Sequence, residues 1–435
     1  MPANTVAKPP GVTSAGRAFA TLLALGAAAV PVYIAAYRLS SDDRPFAAGS
    51  FLGLFAALGG LDLLACWLVL RAPEQLPRRE ALLTIAAFGL LYRLFFFPLA
   101  PTLSDDFYRY VWDGFIQGQG YSPYHYPPQA AELTPLRDTE YWPKINRKEQ
   151  TSAYPPFAEL AFRALAHLRP LNTDIFKLGF LALDLAPCAL LAQLLRIRGQ
   201  SPLGVVVYAW HPLPVFEFFH SAHIDVLAVT LIALALFLQA RGRQGAAGIA
   251  LGLATLTKLY PGLLLPAFAR RGQWSLPLAC IATVALGFLP ALLSGDSNFR
   301  QFPTYLAEEG YDSGERYLPL RLLRLVIPLA NAAYVSVVAL LLLALALRLY
   351  LAPGALDRFD VPRRALLLTS ATLLLVTPAY PWYYVWLIPL LTIVPVPALF
   401  LLPFAAAGAY YTLHLLPHPA QIAHGLSLWK RRRNS

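Results

Sequence analysis

Long apolar runs recur along almost the whole chain and limit what it can fold into. The sequence has 435 residues, of which 57% are hydrophobic and only 14% are charged. A soluble domain is usually nearer half apolar and a quarter charged. Because a helix needs about 20 mostly apolar residues to cross a bilayer, these runs predict an all-α, multi-pass integral membrane protein.

The runs predict about eleven membrane-spanning helices. The first has small residues near a potential cleavage point, but its apolar stretch continues to Ala36, so we expect a retained anchor rather than a signal peptide. The predicted spans are Ala18–Tyr37, Phe46–Leu70, Ala81–Ala100, Asp174–Leu195, Leu203–Phe219, Ile224–Ala240, Trp274–Leu293, Pro328–Tyr350, Ala365–Thr377, Tyr383–Pro395 and Pro397–Leu416.

Two stretches do not fit a simple crossing. Tyr154–Leu168 is short and contains charged residues such as Glu159, so we expect a helix at the outer interface. Gln244–Ala269 has arginines at both ends and Lys258-Leu-Tyr-Pro261 in its middle, which favours a re-entrant helical hairpin whose broken backbone is covered by protein. Lys258 is then expected near the cytoplasmic side, where it would stabilise that backbone.

Basic clusters beside the apolar runs set the expected orientation. The net charge of +11 could suggest a nucleic-acid partner, but lysine and arginine gathered at span ends are typical of cytoplasmic membrane faces. We therefore expect the cytoplasmic (inner) membrane, a cytoplasmic N-terminus and no nucleic acid. One conflict remains, because this span count places the basic tail Lys430–Arg433 outside. The clusters are Arg71, Arg78 and Arg79, then Arg196 and Arg198, Arg241 and Arg243, Arg270 and Arg271, and Arg358, Arg363 and Arg364; the opposite turns are richer in acid, at Asp42, Asp43, Asp296, Glu308, Glu309, Asp312 and Glu315.

The expected organisation is one transmembrane domain over 1–435. Cys66, Cys188 and Cys280 all lie inside apolar runs, and their spacing supports neither a disulfide framework nor a structural zinc site. The predicted parts are N-terminal spans 1–100, an outer loop 101–168, central spans 169–293 with the hairpin 244–269, a second outer loop 294–327 and C-terminal spans 328–435.

Residues 101–153 form the longest polar segment, and long loops in compact proteins are usually functional. Ser104 is a good N-cap and the following acids suit a helix start. Taken alone, such a pair of aspartates is more often structural than catalytic. On the predicted helix Tyr108, Val111 and Trp112 would lie against lipid headgroups. The other face would hold Asp106, Arg109, Tyr110, Asp113 and Gln117.

Short motifs follow one another along the chain. They are SDDFYRYVWDG from Ser104, GYSPY from Gly120, YPP from Tyr154, AWHPL from Ala209, EF from Glu217, HSAHID from His220, KLYP from Lys258 and YPWYY from Tyr380. In this order the motifs resemble bacterial polyprenol-phosphate-dependent hexosyltransferases of the glycosyltransferase C superfamily, which often transfer mannose. The first string, Ser104–Gly114, is quite specific, and the later ones are weak individually. His211 and Ile224 depart from the pattern, where we would expect asparagine.

The resemblance implies a superfamily-type helical bundle in which an acidic pair in the first outer loop replaces the DxD motif of soluble glycosyltransferases. Here that pair is Asp105 and Asp106. Asp106 is our expected general base, which would take the proton of an acceptor hydroxyl. Asp105 would orient the acceptor or tune the pKa of Asp106. The donor would be a polyprenyl-phosphate sugar and the acceptor a lipid or glycan at the outer face.

A leaving phosphate needs a cation, and arginine offers bidentate hydrogen bonds to phosphate oxygens. Arg109 is one candidate, as a phosphate or aspartate partner, and Arg93 in an apolar span is another. Either Arg316 or Arg321 is also expected at the donor, although snorkelling to the interface explains Arg321 and Arg324 equally well. Further expected substrate contacts are Tyr110, Asp113, Tyr124, His223, Tyr380 and Trp382.

The sequence leaves open whether the protein binds a metal ion. His220, His223 and Asp225 could share a helix face, but without a third well-spaced ligand a structural hydrogen-bonded cluster is the better interpretation. The sequence requires no cofactor and does not decide whether a divalent cation is used. The aromatic residues from Trp382 onward could contact sugar or polyprenyl chain, or form an interfacial belt.

Two other functions remain as alternatives. A secondary transporter would need polar groups at mid-span and often repeated halves. The sequence shows no such halves, and its densest functional cluster lies in an outer loop. A non-catalytic scaffold or lipid-binding protein would leave the acidic pair without a purpose. The sequence names neither sugar, acceptor, linkage, stereochemistry nor oligomeric state.

Overall fold

A computed structural model describes residues 14–41, 48–101, 103–295, 301–308, 310–351 and 360–415. Within these ranges the chain forms helices and short turns and no β-strand, which confirms the all-α prediction. The basic tail Lys430–Arg433 and the acids Asp42, Asp43, Asp296 and Glu309 lie outside the described residues.

Eighteen α-helices follow one another along the described ranges. The first nine are α1 (Ser14–Ser41), α2 (Ala48–Arg71), α3 (Arg78–Phe96), α4 (Asp106–Gly118), α5 (Pro156–Leu168), α6 (Thr173–Ile197), α7 (Val206–Ala209), α8 (Pro212–Val215) and α9 (Asp225–Ala240). The others are α10 (Gln244–Thr255), α11 (Leu265–Phe268), α12 (Ser275–Leu293), α13 (Phe302–Glu308), α14 (Leu318–Leu323), α15 (Asn331–Leu351), α16 (Val361–Val376), α17 (Leu387–Ile393) and α18 (Pro397–Leu415).

Five of these helices are long and apolar enough to cross a membrane: α1, α2, α6, α12 and α15. The sequence predicted about eleven membrane-spanning helices, and two of the predicted segments are not continuous helices. Leu203–Phe219 is divided into a 3-10 turn, α7, α8 and a π-helical turn at Phe216–His220, because prolines at 212 and 214 lack the N–H that a continuous helix needs. Tyr383–Pro395 is likewise a 3-10 turn followed by the short α17. Both segments are buried, which is where a membrane protein tolerates irregular backbone.

A buried ion pair joins the N-terminal helices to the centre of the bundle. Arg93 of α3 and Asp184 of α6 are both fully buried, and the Arg93 Nε donates to an Asp184 carboxylate oxygen. The same guanidinium donates to the carbonyls of Gly89 and Ala209, at 2.8 Å each. Our expectation that Arg93 could contact a donor phosphate was therefore wrong, because its charge is already matched inside the protein.

The segment Gln244–Ala269, predicted as a re-entrant hairpin, forms α10, a 3-10 turn at Tyr260–Leu264 and the short α11. The position expected for Lys258 in this segment was wrong. Helix α10 packs between α9 and α12, and Gly248 and Gly252 let it approach the α12 backbone more closely than any Cβ would permit. Since α10 has 12 residues, it rises about 18 Å from its arginine-flanked start. Lys258 therefore lies far from the arginines and lines a cavity together with Asp106.

The outer loop folds onto itself around α4 and α5. Gly114 of α4 faces the Phe162 carbonyl of α5 so closely that a Cβ there would overlap that oxygen. The lipid-facing expectation for Tyr108, Val111 and Trp112 was wrong, because all three are buried. Tyr108 contacts Tyr141 and Trp112 contacts Trp142, so later residues of the same loop cover this face of α4.

The helix directions separate two ends of the bundle. Helix α16 begins beside Arg363 and Arg364 and ends at Val376, which lines the same cavity as Asp106 and Lys258. Helix α9 begins at Asp225, whose carboxylate contacts Lys258, and ends directly before Arg241. The cavity and these arginine clusters therefore lie at opposite ends of the helices.

Candidate active site

A cavity of about 770 Å³ lies where the outer loop, the hairpin tip and the end of α16 meet. Polar and aromatic side chains share its walls. The residues that line it are Leu103, Ser104, Asp105, Asp106, Arg109, Asn146, Arg147, Gln150, Thr151, Ser152, Ala153, Tyr154, Pro155, Lys258, Leu259, Tyr260, Leu263, Leu306, Tyr311, Val376, Tyr380, Trp382, Tyr383 and Tyr410.

The predicted acidic pair lies on one wall of this cavity. Helix α4 begins at Asp106 and its N-cap is Asp105 rather than the expected Ser104, although Ser104 Oγ accepts a hydrogen bond from the Asp106 backbone N–H at 3.3 Å. The Asn146 side-chain amide donates to Oδ1 of Asp105 at 2.8 Å and to Oδ1 of Asp106 at 2.7 Å. A guanidinium nitrogen of Arg147 lies 3.9 Å from the same Asp106 oxygen. Two carboxylates and a cation thus meet at the cavity surface.

Arg109 lies one turn beyond the pair and is bound to a different acid. Its Nε donates to both carboxylate oxygens of Asp113, at 2.7 and 2.9 Å, and only 5% of Arg109 is exposed. Another guanidinium nitrogen donates to the Arg147 carbonyl at 3.4 Å. Asp113 is fully buried and does not line the cavity. Arg109 therefore supports the cavity wall through Asp113 and Arg147.

A second buried acid joins this support. Glu159 of α5 accepts hydrogen bonds from the Ser152 hydroxyl and from the Gln117 amide, the latter at 2.8 Å. Burial raises the pKa of Glu159 well above its usual range, and the neighbouring Asp113 carboxylate raises it further. Burial also raises the pKa of Asp113, an effect that the Arg109 guanidinium opposes. Arg109 thus binds Asp113, and Glu159 lies beside that pair in a cluster where burial raises the pKa of both acids.

Two expected substrate contacts, Tyr110 and Tyr124, do not line the cavity. Tyr110 is fully buried and stacks on Phe162, with ring centroids 4.6 Å apart. The Tyr124 hydroxyl donates to the Tyr154 carbonyl at 2.7 Å, which anchors the turn that begins at Gly120. Both tyrosines hold the outer loop in place behind the cavity wall.

His223 borders the cavity without lining it. Its Nε2 lies 3.1 Å from Ser104 Oγ, its Nδ1 lies 3.0 Å from a carboxylate oxygen of Glu217, and its ring lies 3.9 Å from that of Trp382. Among the described residues no group of three or more His, Cys, Asp or Glu side chains could hold a metal ion. Asp225 instead pairs with Lys258, which agrees with the structural interpretation of this cluster.

Lys258 is a cation of the cavity, although the sequence predicted it near the cytoplasmic side. Its Nζ lies 3.2 Å from an Asp225 carboxylate oxygen and within 6 Å of the Tyr154 and Tyr383 rings. Asp225 is fully buried at the start of α9, so it fixes the ammonium group at the hairpin tip. The KLYP motif pointed to Lys258 in the sequence, but only the length of α10 shows at which end of the bundle Lys258 lies.

Tyr380 and Trp382, which are expected substrate contacts, line the cavity with stacked rings whose centroids are 4.3 Å apart. Arg316 lies over two lining tyrosines, 4.7 Å from the Tyr311 ring and 5.7 Å from the Tyr380 ring. Arg321, on α14, is exposed and does not line the cavity. Of the two arginines proposed for the donor, the structure brings only Arg316 to this region.

Sequence reasoning missed several lining residues from the middle of the outer loop and from other segments. Asn146 and Arg147 lie in a polar stretch without a motif, and nothing in their local pattern distinguishes them from solvated loop residues. Tyr154 and Tyr260 belong to motifs that the sequence analysis quoted without assigning them a role. The other missed residues include Gln150, Tyr311 and Tyr410.

The fold and the cavity define a multi-pass helical membrane protein with carboxylates and cations gathered at one end of its bundle. A family model, Glycosyltransferase family 87, matches residues 153–378, just over half of the sequence, so this chain belongs to that family. The protein is therefore a membrane glycosyltransferase. The matched region contains Lys258 and Arg316, whereas Asp105 and Asp106 precede it. Neither a curated protein nor a solved structure matches the chain.

Proposed function

We propose that this enzyme transfers a hexose, such as mannose, from a polyprenyl-phosphate donor to an acceptor hydroxyl at the outer face of the cytoplasmic membrane, with Asp106 as the general base. The observation that supports this most is the presence of Asp105, Asp106 and Lys258 in one cavity. Carboxylates that can take a proton and a cation that can meet a phosphate are the two groups that the reaction needs.

The chemistry assigns different parts of the cavity to the two substrates. An acceptor hydroxyl is a weak nucleophile, so a carboxylate must take its proton as the new bond to C1 of the sugar forms. Phosphate is already a good leaving group and needs stabilisation of its growing negative charge rather than an acid. Lys258 and Arg147 line the cavity, and Arg316 lies behind Tyr311 and Tyr380, so these cations are our candidates for the phosphate.

An apolar cleft beside the cavity supports a lipid-linked donor. It runs between α9, α16 and the turn at Tyr260–Leu264, and it shares Tyr260, Leu263, Val376 and Tyr383 with the cavity. A polyprenyl chain would follow this cleft into the bilayer while its phosphate stayed with the cavity cations. The remaining lining residues are Ile232, Leu264, Leu368, Thr369, Thr372, Leu373, Pro378 and Trp386.

Helix polarity supports action at the outer face. The arginine clusters and the cavity lie at opposite ends of α9 and α16. Lysine and arginine are enriched in cytoplasmic loops, so the cavity would open on the other side.

The role of Asp106 is tested by Asp106→Asn in proteoliposomes supplied with a polyprenyl-phosphate hexose and an acceptor extract. We expect the transfer rate to fall by about 10²- to 10⁴-fold, because the amide cannot accept the proton. Glu132→Gln is the matched control, since Glu132 is an exposed acid of the same loop that does not line the cavity. A wild-type rate for Asp106→Asn would remove Asp106 from the mechanism.

The lipid-linked donor is tested by narrowing the cleft with Leu263→Trp. Leu263 is 47% exposed, so the larger ring is tolerated by the fold. We expect the KM for a long polyprenyl donor to rise about ten-fold, since losing two buried methylene groups at about 0.8 kcal/mol each corresponds to that factor. A two-isoprene donor should keep its KM.

The matched control for the cleft is Leu374→Trp, at a residue of α16 that is 48% exposed and lines neither the cleft nor the cavity. Leu374→Trp should change neither the KM for the long polyprenyl donor nor the KM for the two-isoprene donor. Equal effects of Leu263→Trp on the long and the short donor would contradict a chain-binding cleft.

A further inference from the structure

The two aspartates of the cavity share a single hydrogen-bond donor. One nitrogen, Asn146 Nδ2, donates to Oδ1 of Asp105 and to Oδ1 of Asp106, at 2.8 and 2.7 Å. A side-chain amide nitrogen has two hydrogens, so each carboxylate receives one of them. Asn146 is neutral, and it therefore orients the two acids without adding a positive charge beside the base.

Asn146 belongs to the segment 145–150, which we call the strap. Hydrogen bonds to the backbone of the strap hold it on both sides of Asn146. The Lys148 carbonyl accepts from the Gln129 N–H at 2.9 Å, and the Lys148 ammonium donates to the Ile145 carbonyl at 2.7 Å. The Gln150 N–H donates to the Arg147 carbonyl at 3.0 Å. These contacts fix the backbone on both sides of Asn146.

The strap is also bound to α4, the helix that begins with Asp106. Arg109, held by Asp113 of the same helix, donates to the Arg147 carbonyl at 3.4 Å. Arg147 has a φ of 42°, in the left-handed region that non-glycine residues adopt only when surrounding contacts hold them there. The helix that supplies the aspartates thus also positions the residue next to Asn146.

We infer that Asn146 is a positioning residue for the transfer reaction, an inference that rests on the proposed function. Its amide holds Oδ1 of both aspartates and leaves Oδ2 of Asp106 for the acceptor hydroxyl. The acceptor proton moves to that Oδ2 as the acceptor oxygen bonds to C1 of the sugar. The bond from C1 to the phosphate oxygen breaks, and the phosphate leaves with the electron pair.

The test is Asn146→Asp, a change of almost no volume that replaces the donor with a third carboxylate. We expect kcat to fall by about 10- to 100-fold, the range for losing hydrogen bonds to charged groups, while the KM for the polyprenyl-phosphate hexose stays within two-fold. Asn146→Ala removes the donor without adding charge and keeps the test valid should Asn146→Asp fail to fold. Asn172→Asp is the matched control, because Asn172 caps α6 and aspartate caps equally well.

A double-variant measurement separates positioning from general support of the fold. In the Asp106→Asn background, Asn146→Asp should change the residual rate by less than two-fold, because the base that it orients is gone. An equal fold-loss in both backgrounds would overturn the inference, as would wild-type kcat in both Asn146 variants. If Asp106→Asn itself keeps wild-type activity, the proposed function fails instead, so the two failures are distinguishable.

Discussion

At the scale of single residues, the site contains two layers of carboxylic acids, an upper layer at the cavity surface and a lower layer buried behind it. Asp105 and Asp106 lie at the cavity surface, bound by Asn146. One to two turns below, Asp113 and Glu159 are buried with Arg109. The upper layer is accessible to substrate, whereas the lower layer fixes the elements that carry it. Exposure, rather than residue type, separates the two roles.

Glu159 predicts a pH dependence of stability. Its raised pKa means that the folded state binds its proton more tightly than the unfolded state. That stabilisation is fully present below the usual carboxyl pKa, about 4.3. It is lost as the pH rises through the raised pKa of Glu159 in the folded state. In Glu159→Gln we expect the apparent melting temperature in detergent to vary less with pH above this range than in the wild type.

The control for this prediction is Glu132→Gln, which removes an exposed acid from the same loop. Its melting temperature should follow pH as the wild type does. Identical pH profiles for Glu159→Gln and the wild type would show that Glu159 does not bind this proton in the folded state.

At the scale of elements, close helix contacts place the site. The crossing of α4 and α5 at Gly114 brings Asp113 beside Glu159, and the contact of α10 with α12 at Gly248 places the hairpin that ends near Lys258. Sequence patterns predicted both α5 and the hairpin as elements. They did not predict that the hairpin tip and α4 would meet, because that depends on how far each helix extends and what it packs against.

Gly114→Ala should destabilise the α4–α5 crossing. The added Cβ overlaps the Phe162 carbonyl, so the helices must separate, at a cost of about 1–3 kcal/mol. We expect a lower apparent melting temperature together with a lower transfer rate, since α4 also carries Asp106.

Gly118→Ala on the same helix is the control for this crossing. A Cβ at position 118 meets no described atom within 4 Å, and alanine favours helix, so stability should stay the same or rise by up to about 1 kcal/mol. An equal fall in melting temperature in the two variants would show that the close contact at Gly114 is not the cause of the loss.

At the scale of the whole molecule, helix directions separate a basic end from the end that holds the cavity. Arg241 and Arg364 mark the first, and Asp106 and Lys258 mark the second. The proposed function requires a lipid-linked sugar and an acceptor to meet at one face of the membrane, and the opposite face would then keep the positive charge. The apolar cleft adjoins the cavity through four shared lining residues, as the proposed donor with a long hydrocarbon chain requires.

This arrangement predicts the outcome of cysteine labelling with a membrane-impermeant maleimide. Glu132→Cys, in the first outer loop, should react in intact cells. Gln75→Cys, between α2 and α3 beside Arg71 and Arg78, should react only after permeabilisation, because the basic loops face the cytoplasm. Both positions are exposed, and the unsubstituted protein gives the background from its three cysteines. The reverse pattern would contradict the outer-face proposal.

The sequence by itself determined that this chain is a helical membrane protein, because apolar runs of bilayer length exclude other folds. It also determined the acidic pair, since Asp105 and Asp106 stand in a specific motif at a helix start. Only the tertiary structure decided which side chains join that pair. Asn146, 40 residues beyond Asp106, binds both aspartates, and Lys258, 152 residues beyond Asp106, lines the same cavity. Such arrangements depend on helix length and packing rather than on local pattern. The structure also showed that two arginines considered for the phosphate are partners of buried aspartates: Arg93 pairs with Asp184, and Arg109, expected to meet either a phosphate or an aspartate, pairs with Asp113.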